Sequence, residues 1–246
     1  SRVSENIKLL LEMVSKASFT EKSVAKEREI IQQEIGMYQD SPDYRLFFGA
    51  LENLYPGTPL ADDIAGTRES ISDITIDNLR ENFDLFYHPT QMHLLVIGNF
   101  DLDAVLQVVN EYDQLSPQPS IQVERFPVEK NEVKLNQSCR MDVASPKLAI
   151  GIRGNDVIKE EEKFRYKLML KLLFSMMFGW TSQRFQSLYE AGKIDNSLTL
   201  EVEVEEVFHF VILTMDTQEP VSLSHQFRSA IKQFDKDPDV NQEHLD

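Results

Sequence analysis

The sequence predicts an α+β chain made of two domains of similar plan, the first of them incomplete. Three observations carry this reading. Segments with a helical apolar period alternate with short strand-like runs. A stretch rich in proline divides the chain near its middle, and after it strand, helix, strands and helix follow in order. Residues 198–204 alternate strictly, with Leu198, Leu200, Val202 and Val204 on one face and Thr199, Glu201 and Glu203 on the other. That pattern is a half-buried strand. The length of 246 residues suits one large domain or two of about 120 residues each.

Each element has its own signal. Residues 5–16 carry Ile7, Leu10, Leu11 and Val14 as a helical stripe. Thr20 is the expected N-cap of a second helix that runs to about Asp40, with Phe19 placed to staple onto Val24 and Ser41-Pro42 as its stop. A helix from Tyr44 to Leu54 and a turn-rich run over residues 55–59 follow, with a loop over residues 64–67. Thr75 caps a helix over residues 76–86. Residues 91–97 read as a buried strand closed by Gly98-Asn99, and Asp101 or Asp103 caps a helix to about Leu115. Residues 116–131, with three prolines, are the linker candidate. Beyond it, residues 132–142 and 147–153 read as strands, 160–178 as a strong apolar helix and 183–191 as a short helix ended at Gly192. A turn at Glu205-Glu206 joins the strand 198–204 to a strand 207–215, forming a hairpin with one buried face. A last helix runs from about Val221 to Phe234, and the polar tail after Asp235 is expected to fray.

In the first half, helices accompany one convincing strand, so their apolar faces lack a sheet to pack on. This reads as a missing N-terminal portion. Ser1 opens the chain without Met or a signal peptide, which fits an excised or processed piece.

Composition excludes several classes. Apolar residues make up 41% and charged residues 27%, with 25 Lys plus Arg against 41 Asp plus Glu, a net charge of −16. A pI near 4.7 argues against nucleic-acid binding through phosphate contacts. No apolar stretch approaches the roughly 20 residues needed to span a membrane. Cys139 is the single cysteine, so neither an intrachain disulfide nor a Cys-based zinc site can form, and a reducing, cytoplasmic location is expected.

Candidate chemistry is sparse. The five histidines, at 88, 93, 209, 225 and 244, contain no pair spaced one helical turn apart as a helix-borne zinc site requires. His88 and His93 are separated by a proline, and His209 falls in a strand. Phosphate loops, a nucleophile elbow and a base for a Cys nucleophile are lacking. On the second helix, Val24, Ile31, Ile35 and Tyr38 form the apolar face, and Glu27 and Glu34 lie two turns apart along its border. Carboxylates there are costly unless paired or metal-bound. The alternative is a solvated edge with ordinary ion pairs to Lys26 or Arg28. Trp180 and Met176-Met177-Phe178 are expected in the core, and Glu201, Glu203, Glu205 and Glu206 on the solvated side and turn of the hairpin, where like charges resist pairing with other chains.

The run EKSVAKEREIIQQEIGMYQDSPDYRLFFGALENLY, the loop PLADDIAGTRESISDITIDNLRENFDLFYHPTQMHLLVIGNFD and the later FGWTSQRFQSLYEAGKIDNSLTLEVEVEE together resemble the pitrilysin/insulinase family of inverted-motif zinc metallopeptidases. The likeness is to its bacterial branch related to mitochondrial processing peptidase. It implies two similar α+β domains, each an antiparallel sheet covered on one face by helices. Residues 1–118 would be the C-terminal part of the first, 119–131 a linker and 132–246 the second. Family members bind zinc through the two His of a His-x-x-Glu-His motif, whose Glu is the general base, and through a Glu on a later helix. By that pattern Glu34 resembles the third zinc ligand and Glu27 a supporting carboxylate. Three protein ligands and a water make the open geometry of a hydrolytic zinc.

Two departures qualify the implied function. His-x-x-Glu-His does not occur in this sequence, and one carboxylate cannot hold zinc usefully. The resemblance therefore implies zinc-dependent peptide hydrolysis in an intact parent, with this chain alone inactive. Tyr189 stands where family members often carry an Arg that grips the peptide backbone, and Asp195 or Asn196 where they carry a Tyr. A homologous partner subunit supplying those groups is then implied, because such peptidases commonly enclose a peptide between paired halves. The competing expectations are a non-catalytic peptide-binding or scaffold subunit that pairs with an active relative, and an α+β module alike in architecture only.

Overall fold

The computed structural model describes residues 2–112 and 128–242. Its contacts divide the chain into two compact units, Ser1–Glu34 with Thr67–Arg125 and Ile35–Gly66 with Phe126–Asp246. The expected linker, 119–131, falls mostly outside the described residues.

Local capping sets the helices of the first unit. α1 covers Arg2–Ser15 and α2 covers Glu21–Gln39, of which residues to Glu34 belong here. Thr20 caps α2 as expected: its Oγ1 accepts the Ser23 amide at 3.1 Å, and Ser23 Oγ accepts the Thr20 amide at 3.1 Å. Phe19, just before the cap, meets Phe83 edge-on at 6.2 Å. α4, Arg68–Asp73, and α5, Ile76–Phe86, carry reciprocal capping boxes, Thr67 with Ser70 and Thr75 with Asn78. α6, Leu102–Tyr112, is capped by Asp101, whose Oδ1 accepts the amides of Asp103 and Ala104 at 2.9 and 3.3 Å. Residues 91–97 are not a strand. A three-residue 3-10 turn, Pro89–Gln91, is followed by chain that joins no ladder. A strand needs a hydrogen-bonded neighbour, and the described residues of this unit provide none.

The second unit is built on a three-stranded antiparallel sheet in the order β1-β3-β2, from β1 (Lys147–Arg153), β2 (Thr199–Val204) and β3 (His209–Asp216). The hairpin forms with its tight turn one residue later than expected, at Glu206-Val207: the Glu205 amide donates to the Phe208 carbonyl at 2.8 Å, and β3 starts at His209. Helices α7 (Lys163–Phe178), α8 (Gln183–Glu190) and α9 (Pro220–Lys232) cover one face. There Phe174, Phe178, Leu188 and Phe227 pack on Val202, Val211, Leu213 and Met215.

The other face of β3 is also buried, which corrects the expectation of a one-faced hairpin. α3, Pro42–Leu54, opens at the Ser41 cap and places Leu51, Leu54 and the adjoining Tyr55 on Phe210 and Ile212. The apolar run from Phe210 to Leu213 leaves no polar face, as in strands covered on both sides. Tyr55 donates its hydroxyl to the His209 carbonyl at 2.9 Å. Gly151 allows the close approach: a Cβ there would lie 3.0 Å from Leu54 Cδ1.

Three further expectations are corrected. Residues 132–142 form no strand; the Lys134 amide donates to the Asn53 carbonyl instead. Trp180 is 77% exposed, while Met177 and Phe178 are buried. The helix has ended by Gly179, so Trp180 is past the stripe that faces the sheet. The tail after Asp235 is pinned before it leaves the described residues: Asp237 and Asp239 are buried. Asp237 Oδ2 lies 2.6 Å from Arg184 Nη2, and Asp239 Oδ2 accepts the Gln183 amide at 2.8 Å. Gly192, with φ 67°, ends α8 as read from the sequence.

Candidate functional site

Along α2, seven residues carry the chain through nearly two full turns, so Glu27 and Glu34 lie about 20° apart around the axis and about 10 Å along it. Both are exposed. Neither makes a hydrogen bond or an ion pair with a described residue. The expected cost of burial at the border of the apolar face is therefore absent, and so are the expected ion pairs to Lys26 or Arg28. Arg28 is used elsewhere, donating to the Ile74 carbonyl, and Gln32 Nε2 reaches Ser72 Oγ at 3.0 Å. These two contacts dock the opposite flank of α2 and orient the carboxylate flank outward.

Among the described residues, His, Cys, Asp and Glu side chains do not come together in a group of three that could hold a metal. His88 points back into its own turn, with Nδ1 2.8 Å from Thr90 Oγ1, and His93 is exposed. They form no joint site. His209 is 3% exposed and meets the Tyr166 ring edge-on at 5.3 Å. Burial pushes its imidazole below the usual 6.5, with Asp156 opposing and Lys130 reinforcing the shift.

At the positions compared with the family's peptide-gripping groups, Tyr189 stacks on Phe185 at 5.8 Å and is 46% exposed. Asp195 Oδ1 accepts the Ser197 amide at 2.8 Å, and hydrogen bonds from Ser197 hold its carboxyl below the usual range. Asn196 lines a cavity of ≈270 Å³ with Phe174, Trp180, Leu198 and Thr199. Expected as a solvated row, the hairpin glutamates are in part engaged: Glu203 and Glu205 pair with Lys167 and Lys163 at 2.9 and 2.7 Å. The buried carboxylates at 237 and 239 escaped the sequence reading; their one signal was a proline-fixed Asp-Pro-Asp.

Helices layered on a small antiparallel sheet, in this order, place the fold among M16-like peptidases. A crystal structure of an M16-like peptidase from Alicyclobacillus acidocaldarius matches 99% of this chain and 58% of its own, with a TM-score of 0.85 at 26% identity. The chain belongs to the M16, or pitrilysin/insulinase, peptidase family, since the family model described as peptidase M16 inactive domain matches residues 73–246. It is 38% identical over 235 residues to the zinc protease YmfH of Bacillus subtilis strain 168, covering 94% of this chain and 55% of that protein. A Helicobacter pylori relative named non-peptidase homolog YmxG is 25% identical over 114 residues, 46% of this chain and 26% of its own length. The chain thus spans about half the length of the curated relatives it matches most fully. No helix among the described residues is long and apolar enough to cross a membrane.

Zinc is the metal implied by the relatives' names. The described residues fit it in one respect: Glu34 is an exposed carboxylate, without a partner among the described residues, on a helix docked from its other side. They lack the ligand number and the imidazole nitrogens of a hydrolytic zinc site. No zinc-dependent step can be built from them alone.

Proposed function

We propose that this chain is part of a zinc-dependent metallopeptidase and is inactive by itself. In the full-length protein Glu34 would be the third zinc ligand, Glu27 would support it, and the remaining ligands would lie outside the present sequence. The observation that carries the reading is the outward-facing Glu27–Glu34 flank of α2, without a partner among the described residues, in a chain of this family. A centre of that kind supplies a water activated for attack on a peptide carbonyl. The division at 119–131 into two peptidase-like domains, a peptide substrate, a homologous partner subunit and a cytoplasmic location belong to the same proposal. Hydrolysis of an unstructured protein such as casein by the full-length protein tests it. Glu34→Gln is expected to reduce the rate at least a hundredfold, and wild-type turnover in that variant would refute the assignment.

A second reading has its own support. The matched family model describes an inactive domain, and one relative is named a non-peptidase homolog. In this reading the protein is a non-catalytic, peptide-binding or scaffold subunit that completes an active relative. Full-length protein that neither hydrolyses casein nor binds zinc, yet raises the activity of a co-purified relative, would favour it.

A further inference from the structure

Trp180 is the single tryptophan of the chain. It is 77% exposed, and its indole packs on none of the described aromatic rings. Tryptophan is a large apolar surface to leave in water, and it is enriched where partners bind. Its backbone is firmly held. The Ser182 amide donates to the Gly179 carbonyl at 2.9 Å, and the Gln186 side chain donates to the Trp180 carbonyl. The ring is thus presented by a fixed turn between α7 and α8.

Trp180 stands at the cavity of ≈270 Å³ that lies between the end of α7, α8 and the start of β2. Buried Phe174, Phe178 and Leu213 form its inner wall, and exposed Asn196 and Thr199 lie at its rim. The volume decides what fits. Pockets for drug-sized ligands begin at about 300 Å³, whereas an apolar cavity of about 150 Å³ takes one benzene. This cavity therefore suits one ring-bearing side chain. Aromatic walls favour a ring over an aliphatic group of similar size, because edge-to-face and offset contacts add to the burial of area.

The rim gives direction. The side-chain amide of Asn196 makes no hydrogen bond with a described residue, so it can both donate to and accept from a peptide group. Ser175 lines the cavity, and Lys171 lies one turn earlier on the same face of α7. Lys171 is exposed and has no ion-pair partner among the described residues. The carboxylate beside the rim, Asp195, is instead engaged by the Ser197 amide at 2.8 Å. In a chain of net charge −16, the charge offered here to an occupant is positive.

We propose that this cavity receives an aromatic side chain of a peptide whose neighbouring residue carries a carboxylate. The ring packs against Trp180 and Phe174, Asn196 hydrogen-bonds the peptide backbone, and Lys171 faces the carboxylate. The proposal deepens the function proposed above by naming a class of peptide, and it rests on that reading for the peptide itself. It needs no zinc, so it is tested in the presence of a chelator, where a peptide is bound without being cleaved.

Trp180 fluorescence of the full-length protein reports the binding. Acetyl-Ala-Phe-Glu-Ala amide is expected to shift the emission to the blue, saturably, with a midpoint at about 1 mM or below. The shift is expected to vanish in Trp180→Phe. Replacing the peptide's Phe by Ala should weaken binding at least about tenfold, and replacing its Glu by Gln about two- to fivefold. Asn196→Ala, at an exposed position, should weaken it about fivefold. The absence of a shift, a shift that persists in Trp180→Phe, or equal binding of the three peptides would overturn the proposal. Emission that is already blue and that no peptide moves would assign the cavity to another part of the polypeptide and overturn it too.

Discussion

Gly154 sits directly against a buried imidazole, with no room for a side chain. A Cβ there would lie 1.6 Å from His209 Nε2, and the ring cannot yield easily because it is buried against Tyr166. Gly154→Ala is expected to cost about 1–3 kcal/mol through overpacking, measurable as a lower midpoint in urea. The same histidine sets a pH dependence. Its imidazole is held below 6.5 in the fold, so the unfolded chain takes up the proton first as the pH falls. The stabilisation is complete above the usual 6.5 and is lost as the pH falls from there through the depressed value. Thermal unfolding at pH 7 and pH 5.5 should show a lower midpoint at pH 5.5, with a smaller drop in His209→Gln. None of this was legible in the sequence, which placed His209 in a strand without its neighbours. For Glu27 and Glu34 the sequence supplied the spacing and the shared flank. Their exposure depended on where Arg28 and Gln32 dock, contacts 46 and 40 residues away along the chain.

Helices were legible because their signals are local. The caps at Thr20, Thr75 and Asp101 and the stop at Gly192 use residues a few positions apart. Strands were legible only where the chain carries their partners. Residues 147–153 and the hairpin pair with one another, while residues 91–97 and 132–142 have the composition of strands without a neighbour. α3 was predicted as a helix, but its role as cover for the second face of β3 depended on a contact across more than 150 residues. The C-terminal tail was misread for a related reason, since Asp237 is polar in sequence but holds Arg184 in the fold. Asp237→Ala would leave the half-buried guanidinium without its carboxylate and is expected to lower stability by about 3 kcal/mol. Arg184→Met in the same background should recover part of that loss, a coupling that a double-mutant cycle measures.

On the scale of the whole molecule, the two units differ in how much core they hold. The second buries fifteen side chains in one continuous cluster around its sheet, enough to account for its fold from its own residues. Among its described residues the first buries four apolar side chains, Ile7, Val24, Ile71 and Val105, under its capped helices. The candidate site has the same character. It offers one flank of carboxylates on a docked helix, where a hydrolytic centre needs several converging ligands. Both features fit a chain that covers about half of its relatives' length. Glu34 is proposed to contribute to a zinc centre completed outside this sequence. The most direct measurement is the zinc content of the full-length protein by plasma emission spectrometry, for wild type and Glu34→Gln, with circular dichroism confirming that both are folded. Close to one zinc per chain in wild type and a loss of at least tenfold in the variant are the predicted result. Full zinc occupancy in a folded Glu34→Gln protein, or no zinc in folded wild type, would contradict it.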